Sequence, residues 1–109
     1  MMRRVIIESP LSGDVIKNTE FARACLKHSL QLGEAPLISH LLYTQVLDDT
    51  VPNEREKGMN AGFAWNLVAE VVVVYTNLGI SRGMKAGIAL ANENNIPVEY
   101  RTLPGWELI

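Results

Sequence analysis

Val71-Val72-Val73-Val74-Tyr75 is a short run of β-branched and aromatic residues, followed within a few positions by Ser81-Arg82-Gly83-Met84. An uninterrupted apolar run of this length predicts a strand buried on both faces, the usual condition of a parallel sheet covered by helices. Ser81 stands where a helix takes its N-cap, and Gly83 falls in the first turn. A residue without a side chain there lets a ligand approach the backbone. The unpaired N–H groups and the positive end of the helix dipole make such a turn an anion site. In open parallel sheets, ligands sit outside the carboxyl ends of the strands. The segment therefore predicts a phosphate or nucleotide pocket, the alternative being a tight strand-to-helix turn with no ligand.

The rest of the chain supplies partners for that strand. Arg4 to Glu8 reads as a first strand around Val5, Ile6 and Ile7, and Ser9-Pro10-Leu11-Ser12-Gly13-Asp14 breaks it. A helix from Asp14 or Asn18 to Leu32 follows. Its apolar face is Phe21, Ala22, Cys25, Leu26, Ser29 and Leu30, and Gly33 supplies the stop. Ala35 to Ser39 reads as a short second strand ending at His40. Leu41 to Pro52 reads as a long loop with one helical turn, a kind of segment that is often functional. Asn53 and Glu56 have the spacing of a capping box, predicting a helix to Val68 with Phe63, Ala64, Leu67 and Val68 toward the sheet. A helix from Arg82 to Asn94 and a strand from Pro97 to Arg101 complete the series, leaving a tail that contains Trp106.

The order β-α-β-α-β-α-β implies right-handed crossovers and a doubly wound α/β fold. We expect a four-stranded parallel sheet in the order 2-1-3-4, with helices on both faces. The 109 residues fit one domain spanning 1–109. The switch point lies between the first and third strands, so the Ser9–Asp14 and Asn77–Met84 loops flank one crevice.

Composition narrows the function. A net charge of −2 without a basic cluster gives no basis for nucleic-acid binding. The apolar stretch behind Arg3-Arg4 is too short for a membrane span or a signal-peptide core, so the cytoplasm is the expected compartment. Cys25 is the single cysteine and reads as a small buried hydrophobe rather than a nucleophile. His28 and His40 lack a second histidine at metal-ligand spacing, so no metal site and no cofactor are expected.

Several polar groups fall where the crevice is expected. Ser9, Ser12, Gly13 and Asp14 suit a phosphate or ribose, or equally a helix-capping turn. Asp48, Asp49, Glu54 and Glu56 surround Arg55, and paired carboxylates bind sugar hydroxyls, act as acid and base, or attack as nucleophiles. Their alternative role is a solvated helix start, where negative charge favours the dipole. His40 points toward the same crevice or serves as a hydrogen-bonded structural residue.

At these residues the chain resembles the nucleoside 2-deoxyribosyltransferase superfamily, which includes the 2′-deoxynucleoside 5′-monophosphate N-glycosidases and small phage and bacterial relatives. The resemblance runs from Val5 to about Arg101. Ser9-Pro10-Leu11-Ser12-Gly13-Asp14 resembles the loop that holds ribose and phosphate, and Ser39-His40-Leu41 the motif after the second strand. Leu47-Asp48-Asp49 with Glu54-Arg55-Glu56 resembles the acidic segment. Ala69-Glu70-Val71-Val72-Val73-Val74 resembles the third strand, with Glu70 where the family usually carries Asp. Ser81-Arg82-Gly83-Met84 resembles the phosphate-binding helix start. The enzymes of that superfamily use a glutamate shortly after the phosphate-binding glycine as nucleophile at the anomeric carbon. Here Lys85 or Gly87 falls at that place, and no acidic residue occurs between Glu70 and Glu93.

Together these readings favour binding of a nucleotide or related phosphorylated ribosyl compound, for sequestration or regulation, through Ser9, Ser12, Gly13, Asp14, His40, Arg55, Ser81, Arg82, Gly83 and Met84. One alternative is a nucleotide N-glycosidase or deoxyribosyltransferase using a relocated carboxylate, with Asp49 and Glu54 as candidates. Another is a structural interaction protein with a vestigial pocket. A homodimer or higher homo-oligomer is expected, since members of the resembled superfamily commonly assemble and Trp106 offers either an interface anchor or a group packed on its own chain.

Overall fold

In the computed structural model, which describes residues 2–108, the elements run β1 (Arg4–Glu8), α1 (Val15–Gln31), β2 (Ala35–Leu37), α2 (Ser39–Tyr43), α3 (Pro52–Asn66), β3 (Val71–Tyr75), α4 (Arg82–Glu93) and β4 (Val98–Arg101). The four strands form one parallel sheet in the order β2-β1-β3-β4. This is the doubly wound arrangement that the sequence implies. Val5 lies opposite Val71 and Glu8 opposite Val74, so β1 and β3 run side by side and end at the same edge. The crossovers leave β1 and β3 in opposite directions around the sheet, which opens a crevice at that edge.

All five residues of β3 are buried, because each face of the sheet is covered. On one face Val5, Ile7, Val71, Val73 and Tyr75 pack with Phe21, Ala22 and Cys25 of α1. On the other, Ile6, Val72 and Val74 pack with Met84 and Ala91 of α4. Alternation along each strand thus splits one apolar run between two cores. Cys25 is fully buried, and that burial pushes its thiol up to about 12, which removes it as a nucleophile.

Several boundaries differ from the sequence reading. Strand β2 stops at Leu37, and Ser39–His40 open a short helix instead of continuing the strand. It is an edge strand containing Pro36, which cannot donate to a ladder. Leu30 of α1 is 53% exposed. The α3 helix begins at Pro52 with Val51 as N-cap, so no Asn53–Glu56 capping box forms. Glu54 instead accepts the Asp48 amide at 3.0 Å, and Asp48 accepts the amide and hydroxyl of Thr50.

The orientation of α3 is the larger correction. Ala64, Leu67 and Val68 are exposed, not turned to the sheet. The inward side is Gly58, Gly62 and Asn66, spaced four apart. A Cβ on Gly62 would lie 2.7 Å from Ser39 Oγ, and one on Gly58 would lie 3.5 Å from Leu47. Small residues let α3 approach α2 closely, and a stripe of them carries no apolar periodicity to detect. Trp106 packs on its own chain, with its ring edge-on to Phe21 at 5.1 Å between centroids. It is a core lid and not an exposed interface anchor.

Candidate functional site

The crevice lies beyond the carboxyl ends of β1 and β2, roofed by α2 and α3 and closed on one side by the start of α4. Each wall has a local cause. Asn18 of α1 is buried and donates to the carbonyls of Leu11 and Ser12, both at 3.0 Å, fixing the loop after β1. Asp14 caps α1 through the Lys17 amide at 3.2 Å. Gly13 beside it has φ +99°, a conformation that side chains resist. Asn77 holds the tail by accepting the Leu103 amide at 2.7 Å and donating to its carbonyl at 3.0 Å. The loop between β3 and α4 is thereby tied to the sheet's far edge.

Ser81 caps α4, its hydroxyl accepting the Met84 amide at 3.3 Å while Met84 Sδ accepts the Ser81 amide. The amides of Arg82 and Gly83 lie in the first turn, where no intrahelical acceptor is available. A Cβ on Gly83 would meet nothing within 4 Å, so the backbone there is open to an incoming group.

Ser9, Ser12, His40, Asp49, Glu54, Arg55, Ser81, Gly83 and Met84 all line this crevice. Gly13 and Asp14 do not; they form the turn and the cap of α1. Arg82 is exposed and also lies off the lining. Ser9 is buried and hydrogen-bonds His40 Nε2 at 3.0 Å. His40 Nδ1 is buried with no partner among the described residues, and burial lowers the pKa of the ring. The neutral imidazole therefore dominates at neutral pH. Asp49 pairs with Arg55 at 2.7 Å. The two charges largely offset one another, and Glu54 is committed to the Asp48 amide.

One carboxyl was overlooked in the sequence. Glu8, the last residue of β1, lines the crevice and has no cationic partner among the described residues. Among the described residues its only side-chain hydrogen bond comes from Asn66 Nδ2, at 3.5 Å. Burial raises its pKa to about 7, with the Asn66 contact a smaller opposing effect. Gly87 of α4 makes room for it, since a Cβ there would lie 2.7 Å from Glu8 Cδ. The available signal was a charged residue closing an apolar strand at the ligand-binding edge of a parallel sheet. Ser39, Tyr43 and Asn66 also line the crevice and were not anticipated. Among the described residues, no group of three or more His, Cys, Asp or Glu side chains is placed to hold a metal ion, and no helix is long and apolar enough to cross a membrane.

A family model described as a domain of unknown function (DUF7768) matches residues 3–101, and the chain belongs to that family. No curated protein matches it.

Proposed function

We propose that this crevice binds a nucleotide or a related phosphorylated ribosyl compound, for sequestration or regulation. The observation that carries the reading is the meeting of the open α4 first turn at Gly83 with the Ser12 loop on one crevice. Phosphate accepts hydrogen bonds from the Arg82 and Gly83 amides at the positive end of α4. Ser12 and Ser9 offer hydroxyls to the sugar, and the half-apolar wall of Leu11, Met59 and Phe63 accommodates a base. The resemblance to nucleoside 2-deoxyribosyltransferases supports the same ligand class.

Calorimetric titration with a panel of ribo- and deoxyribonucleoside monophosphates tests the reading. Wild-type protein should bind at least one of them, and Gly83→Val should weaken that binding at least tenfold while the helix content is kept. Undiminished affinity in folded Gly83→Val would remove the α4 turn from the site. The protein is also proposed to form a homodimer through the exposed end of α3 and the turn after it, where Trp65, Leu67 and Val68 are 49%, 46% and 58% exposed. Light scattering showing only monomer at high concentration would rule that out.

A further inference from the structure

We propose that Glu8 engages the anionic ligand as a neutral carboxylic acid, donating a hydrogen bond to one of its oxygens and binding it only while protonated. This inference rests on the crevice being the phosphorylated-ligand site proposed above.

The geometry supplies the argument. Gly83 and Gly87 stand one helical turn apart, about 6 Å along α4. Glu8 packs against Gly87 and lines the same crevice as Gly83, so an anion seated on the Gly83 amide shares that crevice with the Glu8 carboxyl, about one helical turn away. An ionised carboxylate facing the same crevice repels a phosphorylated ligand, whereas a carboxylic acid donates to a ligand oxygen that reaches it.

Nothing facing Glu8 neutralises it by charge. From α2, His40 is held neutral and hydrogen-bonded to Ser9. From the segment before α3, Asp49 is paired with Arg55 of α3. Glu54 of α3 adds a further negative charge to the crevice. Helix α4 presents Ser81, Gly83 and Met84 to the lining, its Arg82 and Lys85 side chains being exposed outside it. Asn66 offers a neutral donor only. Negative groups thus outnumber free positive ones, and the remaining way for Glu8 to share the crevice with an anion is to hold a proton. Its ordinary titration range is already displaced upward, to about 7, in the ligand-free protein.

The test is calorimetric titration of wild type, Glu8→Gln and Glu8→Ala with ribose 5-phosphate and adenosine 5′-monophosphate at pH 6 and 8.5. Gln is nearly isosteric with the protonated acid and always carries a donor. Wild-type affinity should fall with rising pH, and at pH 8.5 Glu8→Gln should bind roughly thirtyfold tighter than wild type, the reciprocal of the protonated fraction there. Titration of the phosphate itself affects both proteins equally and cancels in that ratio. Glu8→Ala, which has no donor, should bind more weakly than wild type at pH 6. Equal affinities of Glu8→Gln and wild type at pH 8.5, with a probe bound, would overturn the inference and leave the binding site standing. Absence of binding by any of the proteins at either pH would overturn the site, and the inference with it. A 13C titration of the free protein provides a check without ligand: a Glu8 carboxyl midpoint near 4.5 contradicts the inference, and one near 7 supports it.

Discussion

Two glutamates, Glu34 buried and Glu8 partly buried, lie in opposite electrostatic surroundings. Glu34, just before β2, is 7% exposed and accepts from Arg3 at 2.6 Å, Arg101 at 2.9 and 3.1 Å, and Ser29 at 2.7 Å. These donors, Arg101 foremost, hold its carboxyl down to about 2. Around it Arg101 also reaches Tyr75, whose hydroxyl meets His28 at 2.8 Å, and Arg3 pairs with Glu99. Every charge there has a partner, and the network ties the sheet's outer strands to α1. Among the described residues Glu8 has one long hydrogen bond and no counter-charge, and burial moves it the other way, to about 7. A carboxylate that stabilises a fold is surrounded by donors. One left unpaired in a crevice costs stability, and such groups gather at functional sites.

Removing Glu34 should have the largest effect. Glu34→Ala leaves Arg101, whose side chain is only 16% exposed, without its main partner. We expect a loss of about 3 kcal/mol in urea unfolding at neutral pH, as for a broken buried ion pair. A loss near zero would show that the two glutamates do not differ as described.

The reverse sign is expected at Glu8. Its pKa is raised from 4.5 to about 7, so the folded state disfavours the ionised form. The penalty is absent below pH 4.5, grows as pH rises, and is complete above pH 7. Glu8→Gln should therefore stabilise the protein by on the order of 2–3 kcal/mol at pH 8 and by little at pH 4. For Glu34 the folded value lies below the unfolded one, so its contribution is present above pH 4.5 and lost as pH falls toward 2. Stability curves of Glu8→Gln and Glu34→Gln should thus converge with wild type in acid and depart from it with opposite sign as pH rises. Glu34→Gln should fall below wild type between about pH 2 and 4.5, and Glu8→Gln should rise above it between 4.5 and about 7.

A smaller effect isolates the space shared by Glu8 and Gly87. Gly87→Ala forces the Glu8 carboxyl to move and should cost about 1–2 kcal/mol, even after the gain from better helix propensity. In a Glu8→Ala background the same change should stabilise by up to ~1 kcal/mol. Equal effects in both backgrounds would mean that the two residues are not coupled.

The sheet was legible because Val71–Tyr75 and Val5–Ile7 carry their burial in their composition, and Ser81 and Gly33 mark helix limits by their own chemistry. The face of α3 was not, because Gly58, Gly62 and Asn66 turn inward by closeness of approach, with Gly62 and Asn66 buried, which apolar periodicity does not register. Ser9, Ser12, His40 and Gly83 were found from their place after strands, while Arg82 and Asp14 share those segments but point elsewhere or serve as caps. Asp49 and Glu54 stood out as charges in an irregular segment. The pairing of Asp49 with Arg55 and the hydrogen bond from the Asp48 amide to Glu54 depend on a fold of that segment that no local pattern encodes. Glu8 was masked by its strand: the three apolar residues before it made the position read as sheet, although its place at the strand's end turned it toward the crevice.

Turnover provides a further discriminator. Incubation with ribo- and deoxyribonucleotides should release no base if the crevice only binds. Robust release abolished by Asp49→Asn, Glu54→Gln or Glu8→Gln would instead make the protein an N-glycosidase.

The most direct measurement of the central claim is a 15N-detected NMR titration of the intact protein with adenosine 5′-monophosphate. The account predicts saturable shifts centred on the Arg82 and Gly83 amides, extending to Ser12, with the Glu34 side of the sheet unmoved. Saturable shifts confined to the exposed face of α3, or no shifts at all, would contradict it.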